Sequence, residues 1–292
     1  MENPQRNAQL GYIKSIPDDM NGLFAEWYER TKDFGKDSKD GDNHYCLVCD
    51  GIMRKREKSE SEIEEEWEQN KMRIAFLIKD QNQGKKGPWN DDARNWLIPK
   101  DTDDTPKKKR QKTRNWNVSS RFLKNIAQTI WGITNSKPEP DELMPNTGIY
   151  THFKDIQKSF REEPFALIEC KKQGGKASID DNTLSDYLET YKDLLYREFD
   201  ILKPHIFVCT NERIYEFVQK YLTKDGTQIT QVPSLENREK YEASVTLHCP
   251  SKSVILCSYH PSARMSYEEF YDGVVKHYHA FVKSDYYKDF FK

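Results

Sequence analysis

The sequence predicts an α/β protein: a three-layer α/β/α sandwich with a central, mainly parallel four-stranded sheet, preceded by a helical N-terminal extension. Short apolar runs of strand length alternate along the chain with amphipathic helical patterns, which is typical of a parallel sheet covered by helices. The 292 residues, 12% of them aromatic, suffice for one large core. The first 70 residues carry helical patterns instead, which indicates an extension.

The elements follow in order along the chain. Residues 1–70 form the extension, with helical apolar spacing around Trp27 and a charged helix around Trp67. A second domain is expected over residues 71–292. Its strands are the apolar runs 73–78, 165–168, 205–209 and 254–257, and its main helices cover 121–131, 184–199, 214–222 and 267–282. Gly132 is expected to end the first of these helices.

Composition restricts the classes of function. The 46 lysines and arginines nearly balance 48 aspartates and glutamates, so any face that binds nucleic acid must be local. No apolar run approaches the roughly 20 residues of a membrane span, and no signal-peptide pattern opens the chain. Cys209 and Cys257 lie in apolar runs rather than at disulfide spacings, which predicts a cytoplasmic protein without membrane contact. The oligomeric state is left open, with a monomer as the expectation.

The end of the fourth strand is the most informative segment. The apolar run 254–257 leads into His260-Pro261-Ser262. Proline stops a strand, because it lacks a ladder donor and its φ is fixed. His260 is therefore predicted at the carboxyl end of a buried strand, where open α/β sheets place their ligand sites. An ordinary strand-to-helix turn with an incidental histidine is the alternative.

Four strand-end motifs, in order, resemble those of the uracil-DNA glycosylase superfamily. They are the segments 77–82, 166–172, 203–210 and 260–262. The resemblance covers residues 73–282 and implies that superfamily's fold. It also implies an enzyme that flips a base out of DNA and hydrolyses its N-glycosidic bond. DNA is the implied partner, and no cofactor is expected.

The resemblance implies roles for single residues. Asp80 stands where relatives orient the attacking water beside the oxocarbenium-like sugar, by analogy with glycoside hydrolysis. His260 stands where relatives place the donor to the departing base, which is oxyanion-hole logic. Met265 lies where relatives carry an apolar wedge, and Arg264 could hold a phosphate or fill the vacated space. Further candidates for contacts with the DNA backbone are Ser262, Ser266 and Lys172.

The residues that differ from the family's motifs stand at positions that recognise the base. Glu169 replaces an asparagine that reads uracil, and an ionised carboxylate, which only accepts hydrogen bonds, suits the exocyclic amine of cytosine. A protonated Glu169 could still donate, so uracil stays open. Asn82, beside Gln81, replaces a tyrosine that blocks the 5-position. These residues favour a 5-modified cytosine of phage DNA and a role in antiviral defence. Trp89 or Trp96 could stack on the flipped base, with core packing as the alternative.

A cysteine pair raises the question of a metal. Cys46 and Cys49 resemble half of the iron–sulfur ligand set of one branch of the superfamily, but Gln173 stands where the next cysteine is needed. Zinc bound by this pair and His44 would lack an obvious fourth ligand. No metal is therefore expected.

Other functions stay open. One alternative is a uracil-DNA glycosylase of base excision repair. A second is a glycosylase-like fold that senses nucleic acid without catalysis, which the departures at Asn82 and Glu169 favour and the retention of Asp80 and His260 opposes. A nuclease is less favoured, because no Asp, Glu and His set has a spacing suited to two metals.

Overall fold

A seven-stranded sheet organises the fold. Its strands, in spatial order, are β2 (Gly51–Ile52), β5 (Phe165–Gly175), β3 (Ile74–Asn82), β6 (Ile206–Cys209), β9 (Ser253–Cys257), β8 (Val245–His248) and β7 (Thr230–Gln231). The pairs β3–β6 and β6–β9 are parallel, whereas β2–β5, β8–β9 and β7–β8 are antiparallel. The computed structural model describes residues 19–31, 47–55, 58–82, 91–97, 118, 120–137, 151–175, 179–232, 245–248 and 251–290.

The α/β class is confirmed, and the predicted number of strands is wrong. The four predicted strands are present as neighbours, β5, β3, β6 and β9. Strand β2 adds an edge beside β5 from within the predicted helical extension, and the β7–β8 pair continues the sheet beyond β9. Strands of two residues, such as β2 and β7, are too short to give a hydrophobic period, so sequence patterns miss them.

The predicted helices agree with the structure in type, two further helices (Phe153–Glu162 and Asp285–Phe290) were not predicted, and two of the differences are informative. The helices are α1 (Met20–Thr31), α2 (Glu60–Gln69), α3 (Arg121–Thr134), α4 (Phe153–Glu162), α5 (Asp181–Thr190), α6 (Lys192–Leu202), α7 (Glu212–Leu222), α8 (Tyr267–Tyr271), α9 (His277–Lys283) and α10 (Asp285–Phe290). A π-helical turn, Asp272–Lys276, joins α8 to α9. The helix predicted over 184–199 is in fact two helices that meet at Tyr191.

The second difference concerns Gly132, which lies inside α3 instead of ending it. A Cβ atom at this position would lie 2.6 Å from Val275 Cγ2 and 2.8 Å from Tyr271 Cε2. These distances are shorter than real carbon contacts, so only glycine allows α3 to approach α8 and the π-helical turn this closely. The glycine therefore serves packing between helices rather than termination.

The chain divides into two compact units. The larger unit comprises residues 50–79, 93–168 and 204–292, and its inner strands β6 and β9 are buried on both faces. Alternate side chains such as Phe76 and Val208 join a core with α3, α8 and α9. On the opposite face, Phe207 contacts the ring of Tyr221 in α7, with centroids 6.4 Å apart. Helices thus lie against both faces, which is consistent with a three-layer arrangement.

The smaller unit comprises residues 1–49, 80–92 and 169–203. Its strands β1 (Val48–Cys49) and β4 (Asp91–Asp92) pair in parallel. Helix α1 packs against the two helices that follow β5: the ring of Trp27 stacks on Tyr187 with a 6° interplanar angle, and Glu26 pairs with Arg197 at 2.7 Å. The apolar and polar faces of α1 are therefore both engaged within this unit.

Candidate active site at the His-Pro-Ser turn

The turn after β9 places His260 at the carboxyl end of a buried parallel strand, where the sequence predicted it. The amide of Ser258 donates to the carbonyl of Cys209 at 2.7 Å, which continues the pairing of β9 with β6 by one residue. The amide of Ala263 then donates to the carbonyl of His260 at 2.7 Å and closes a tight turn. Pro261 occupies the second position of this turn, which its fixed φ suits.

The protonation state of His260 follows from its partners. The amide of Ser262 donates to His260 Nδ1 at 3.1 Å. A ring nitrogen that accepts a hydrogen bond carries no proton, so the neutral ring holds its proton on Nε2. Burial lowers the pKa of His260, and the positive charge of Lys79 lowers it further. At neutral pH the side chain is therefore an uncharged donor through Nε2–H.

Two amide side chains of α3 hold the turn and the start of α8 through hydrogen bonds. Asn125 Nδ2 donates to the carbonyl of Pro261 at 2.7 Å, and the side chain is completely buried. Gln128, also completely buried, donates through Nε2 to Asn125 Oδ1 at 2.9 Å and to the carbonyl of Tyr267 at 3.0 Å. Residues three apart on a helix lie on the same face, so both amides point towards the turn.

The first residue of α3 contacts the far side of the same loop. The guanidinium of Arg121 donates to the carbonyl oxygens of Met265 and, at 3.5 Å, of Ala263. Its Cζ also lies 5.0 Å from the ring centroid of Tyr267, as does Lys124 Nζ. Two cationic side chains of α3 thus contact the ring of Tyr267.

The predicted DNA-contacting residues of the loop differ in their surroundings. Ser262 and Arg264 are exposed. Met265 is half-buried and packs against the core of the larger unit. The hydroxyl of Ser266 accepts the amide of Glu269 at 3.0 Å and caps α8, although the residue remains exposed. Arg264 and Ser262 are thus accessible to solvent, whereas Met265 packs against the protein.

The first motif ends strand β3. Lys79, the last residue of that strand within the larger unit, is half-buried. Asp80, Gln81 and Asn82 continue β3 by their backbone, and their side chains lie outside the described residues. Trp89 also lies outside them. Trp96 is half-buried and packs against the core of the larger unit, as the packing alternative expects.

The second motif lies on β5 in the smaller unit. Glu169 is completely buried. Lys172 is completely buried too, and its ammonium lies 3.0 Å from Glu198 Oε1 and 2.7 Å from Oε2. A phosphate contact needs an accessible cation, so this geometry turns Lys172 towards an internal partner rather than towards DNA. Burial of the long side chain against α6 was not visible in the sequence.

Sequence reasoning missed the contribution of α3. The signal was present in the run from Arg121 to Gln128, where polar residues recur at spacings of four and three within a helix that is otherwise apolar on its buried side. That spacing marks one helix face. A polar stripe on a buried face indicates that something polar lies opposite, and here it is the backbone of the His-Pro-Ser turn.

The described residues contain neither a cluster of metal ligands nor a helix that could span a membrane. Among the described residues, no three His, Cys, Asp or Glu side chains are grouped so as to hold a metal ion. Cys49 is described and half-buried, whereas His44 and Cys46 lie outside the described residues. None of the helices in the described ranges is long and apolar enough to cross a membrane.

Comparisons with known proteins do not add a family. No protein-family model matches the chain, and no curated protein matches it significantly.

Proposed function

We propose that this protein is a DNA glycosylase that flips an aberrant or modified pyrimidine out of DNA and hydrolyses its N-glycosidic bond, leaving an abasic site. The observation that carries the proposal is the placement of His260 at the carboxyl end of a buried parallel strand, where its Nδ1 accepts the amide of Ser262 and leaves Nε2–H as the donor. The proposal extends to a uracil-DNA glycosylase-like, three-layer fold, which helices against both faces of the sheet support.

The chemistry gives His260 a defined task. Cleavage of the N-glycosidic bond leaves negative charge on the departing base and oxocarbenium character on the sugar. His260 donates through Nε2–H to a carbonyl of the departing base, and a donor of this kind contributes roughly 10²–10³ in rate. Asp80, one residue beyond Lys79 on β3, orients the attacking water; this role rests on the sequence motif.

The substrate we favour is a 5-modified cytosine, as in the DNA of some bacteriophages, which would make the enzyme a defence protein. This choice rests on the sequence motifs: a carboxylate at Glu169 suits the exocyclic amine of cytosine, and Asn82 is a smaller residue type than the tyrosine that it replaces.

Base release from duplex and single-stranded oligonucleotides tests the function. The set contains uracil, a thymine mismatch, cytosine, 5-hydroxymethylcytosine and glucosylated cytosine at one position. We expect abasic sites at one base only, lost in Asp80→Ala and in His260→Ala. Asp155→Ala, which changes an exposed aspartate on α4, serves as the matched control and should keep the activity.

The same experiment separates the alternatives. Release of uracil alone would assign the protein to base excision repair and overturn the proposed substrate. No release of any base, with binding of the oligonucleotides intact, would favour a catalytically inactive sensor of nucleic acid. The presence of Glu169 in place of the family's asparagine is the reason to test for such a sensor.

A further inference from the structure

We propose that Asn125, Gln128 and Arg121 are positioning residues of this site, with two separable tasks: the amide pair sets the ring of His260, and Arg121 sets the segment 263–265. The inference rests on the proposed glycosylase function for its kinetic consequences. Its structural consequences can be measured on the protein without DNA.

Asn125 acts through a single peptide unit. The carbonyl of Pro261, which accepts from Asn125 Nδ2, and the amide of Ser262, which donates to His260 Nδ1, belong to the same planar peptide group. Holding the oxygen at one end of the plane therefore aims the N–H at the other end. That N–H keeps the proton of the imidazole on Nε2, so Asn125 controls which ring nitrogen faces a substrate as donor.

Gln128 fixes the orientation of the Asn125 amide. A flipped Asn125 would present its oxygen to the carbonyl of Pro261, and two acceptors would then face each other. The bond from Gln128 Nε2 to Asn125 Oδ1 at 2.9 Å opposes that flip. Because both side chains are completely buried, water does not offer an easy substitute for either bond.

Arg121 acts on a different part of the loop. Its guanidinium bonds to the carbonyl oxygens of Ala263 and Met265, which flank Arg264. These carbonyls lie beyond the peptide that contacts His260, so loss of Arg121 leaves the imidazole contact in place. The residues it restrains are those expected to touch DNA and to fill the space of a flipped base.

The experiment compares Asn125→Ala and Arg121→Met with the wild type by three measurements. The first is the tautomer of His260, from NMR of 15N-labelled imidazole, with the signal assigned through His260→Ala. The second is the single-turnover rate of base release at saturating protein. The third is the affinity for DNA. Asn135→Ala is the matched control, since it changes an asparagine at the other end of α3.

We expect Asn125→Ala to change the tautomer and the rate, and Arg121→Met to change the affinity for DNA. Asn125→Ala should populate both tautomers of His260 and lower the single-turnover rate roughly tenfold to a hundredfold, with DNA affinity kept within about twofold, because misplacement of a reacting group acts on the chemical step. Arg121→Met should keep the wild-type tautomer and weaken DNA binding. Asn135→Ala should match the wild type in all three measurements.

A wild-type tautomer ratio in folded Asn125→Ala would overturn the inference, whatever the kinetics show. If Asn125→Ala does not fold, Gln128→Leu replaces it, and an unchanged tautomer there has the same meaning. If the wild type releases no base, the glycosylase proposal fails alone, because the NMR result still decides whether Asn125 sets His260.

Discussion

The His-Pro-Ser turn of the larger unit and the Lys172 region of the smaller unit bury polar groups in opposite ways. At the turn, neutral groups are paired: an asparagine amide, a peptide plane and an uncharged imidazole. At Lys172, two full charges are paired, with the ammonium 2.7 Å from Glu198 Oε2 and both side chains completely buried. Satisfied neutral hydrogen bonds are cheap to bury, whereas each buried charge carries a large desolvation cost.

That difference separates a region suited to chemistry from one suited to structure. Changing one neutral partner leaves an unsatisfied dipole, and the fold tolerates it. Changing one charged partner leaves an uncompensated buried charge, which costs more stability. The turn can therefore be altered to change reactivity at a modest cost, whereas the ion pair can be replaced only by changing both partners together.

The largest expected effect is that of Lys172→Met. It leaves the carboxylate of Glu198 buried without its cation, which should lower the free energy of unfolding by about 3–5 kcal/mol. By comparison, Asn125→Ala should cost about 1–3 kcal/mol, the usual range for an unsatisfied neutral group. Urea denaturation followed by circular dichroism measures both.

Two variants control this result. Lys172→Met combined with Glu198→Leu should regain most of the loss, because no charge then remains buried at the pair. Lys192→Met removes the lysine of the exposed pair with Glu189, and we expect an unchanged urea midpoint. A wild-type midpoint in Lys172→Met would show that the two regions do not differ as proposed.

The comparison also shows what the sequence could reveal. The class of the fold, its four inner strands and the position of His260 follow from local signals: apolar runs, helical periods and a proline. The burial of Lys172 depends on Glu198, 26 residues away, and the support of the turn depends on Asn125, 136 residues before Pro261. A pattern read within a short window does not contain such partners. The edge strand Gly51–Ile52 was missed because two residues carry no period.

Gly132→Ala tests how closely α3, the helix that supports the turn, packs against α8 and the π-helical turn. The new methyl group would lie 2.6 Å from Val275 Cγ2, and overpacking of this kind costs about 1–3 kcal/mol. Alanine also stabilises a helix by about 1 kcal/mol relative to glycine. We therefore expect a net loss of about 1 kcal/mol, measured as a lower thermal midpoint. Adding Val275→Ala should make room for the methyl group; a raised midpoint in Gly132→Ala alone would contradict the close approach.

The smallest effect concerns Lys79, whose positive charge lowers the pKa of His260. Lys79→Met removes one cause of the lowered pKa of His260, so the pKa should rise towards its ordinary value of 6.5 while burial still holds it below. Base release needs the neutral ring, so the acid limb of the single-turnover pH profile, within the window below pH 6.5, should move to higher pH. NMR titration of His260 measures the same shift without substrate.

The pH dependence of the free energy of unfolding gives a second test of Lys79→Met. A histidine whose folded pKa is lowered binds fewer protons in the folded state than in the unfolded state. Its contribution is therefore complete above the unfolded value of 6.5 and is lost as the pH falls towards the folded value. Lys79→Met should weaken this loss, whereas Lys71→Met, an exposed lysine just before β3, should leave it unchanged. If both variants behave like the wild type, Lys79 does not tune His260. If only Lys79→Met shifts, the charge of Lys79 in the larger unit helps to keep His260 neutral, whereas the charge of Lys172 in the smaller unit helps to hold the fold.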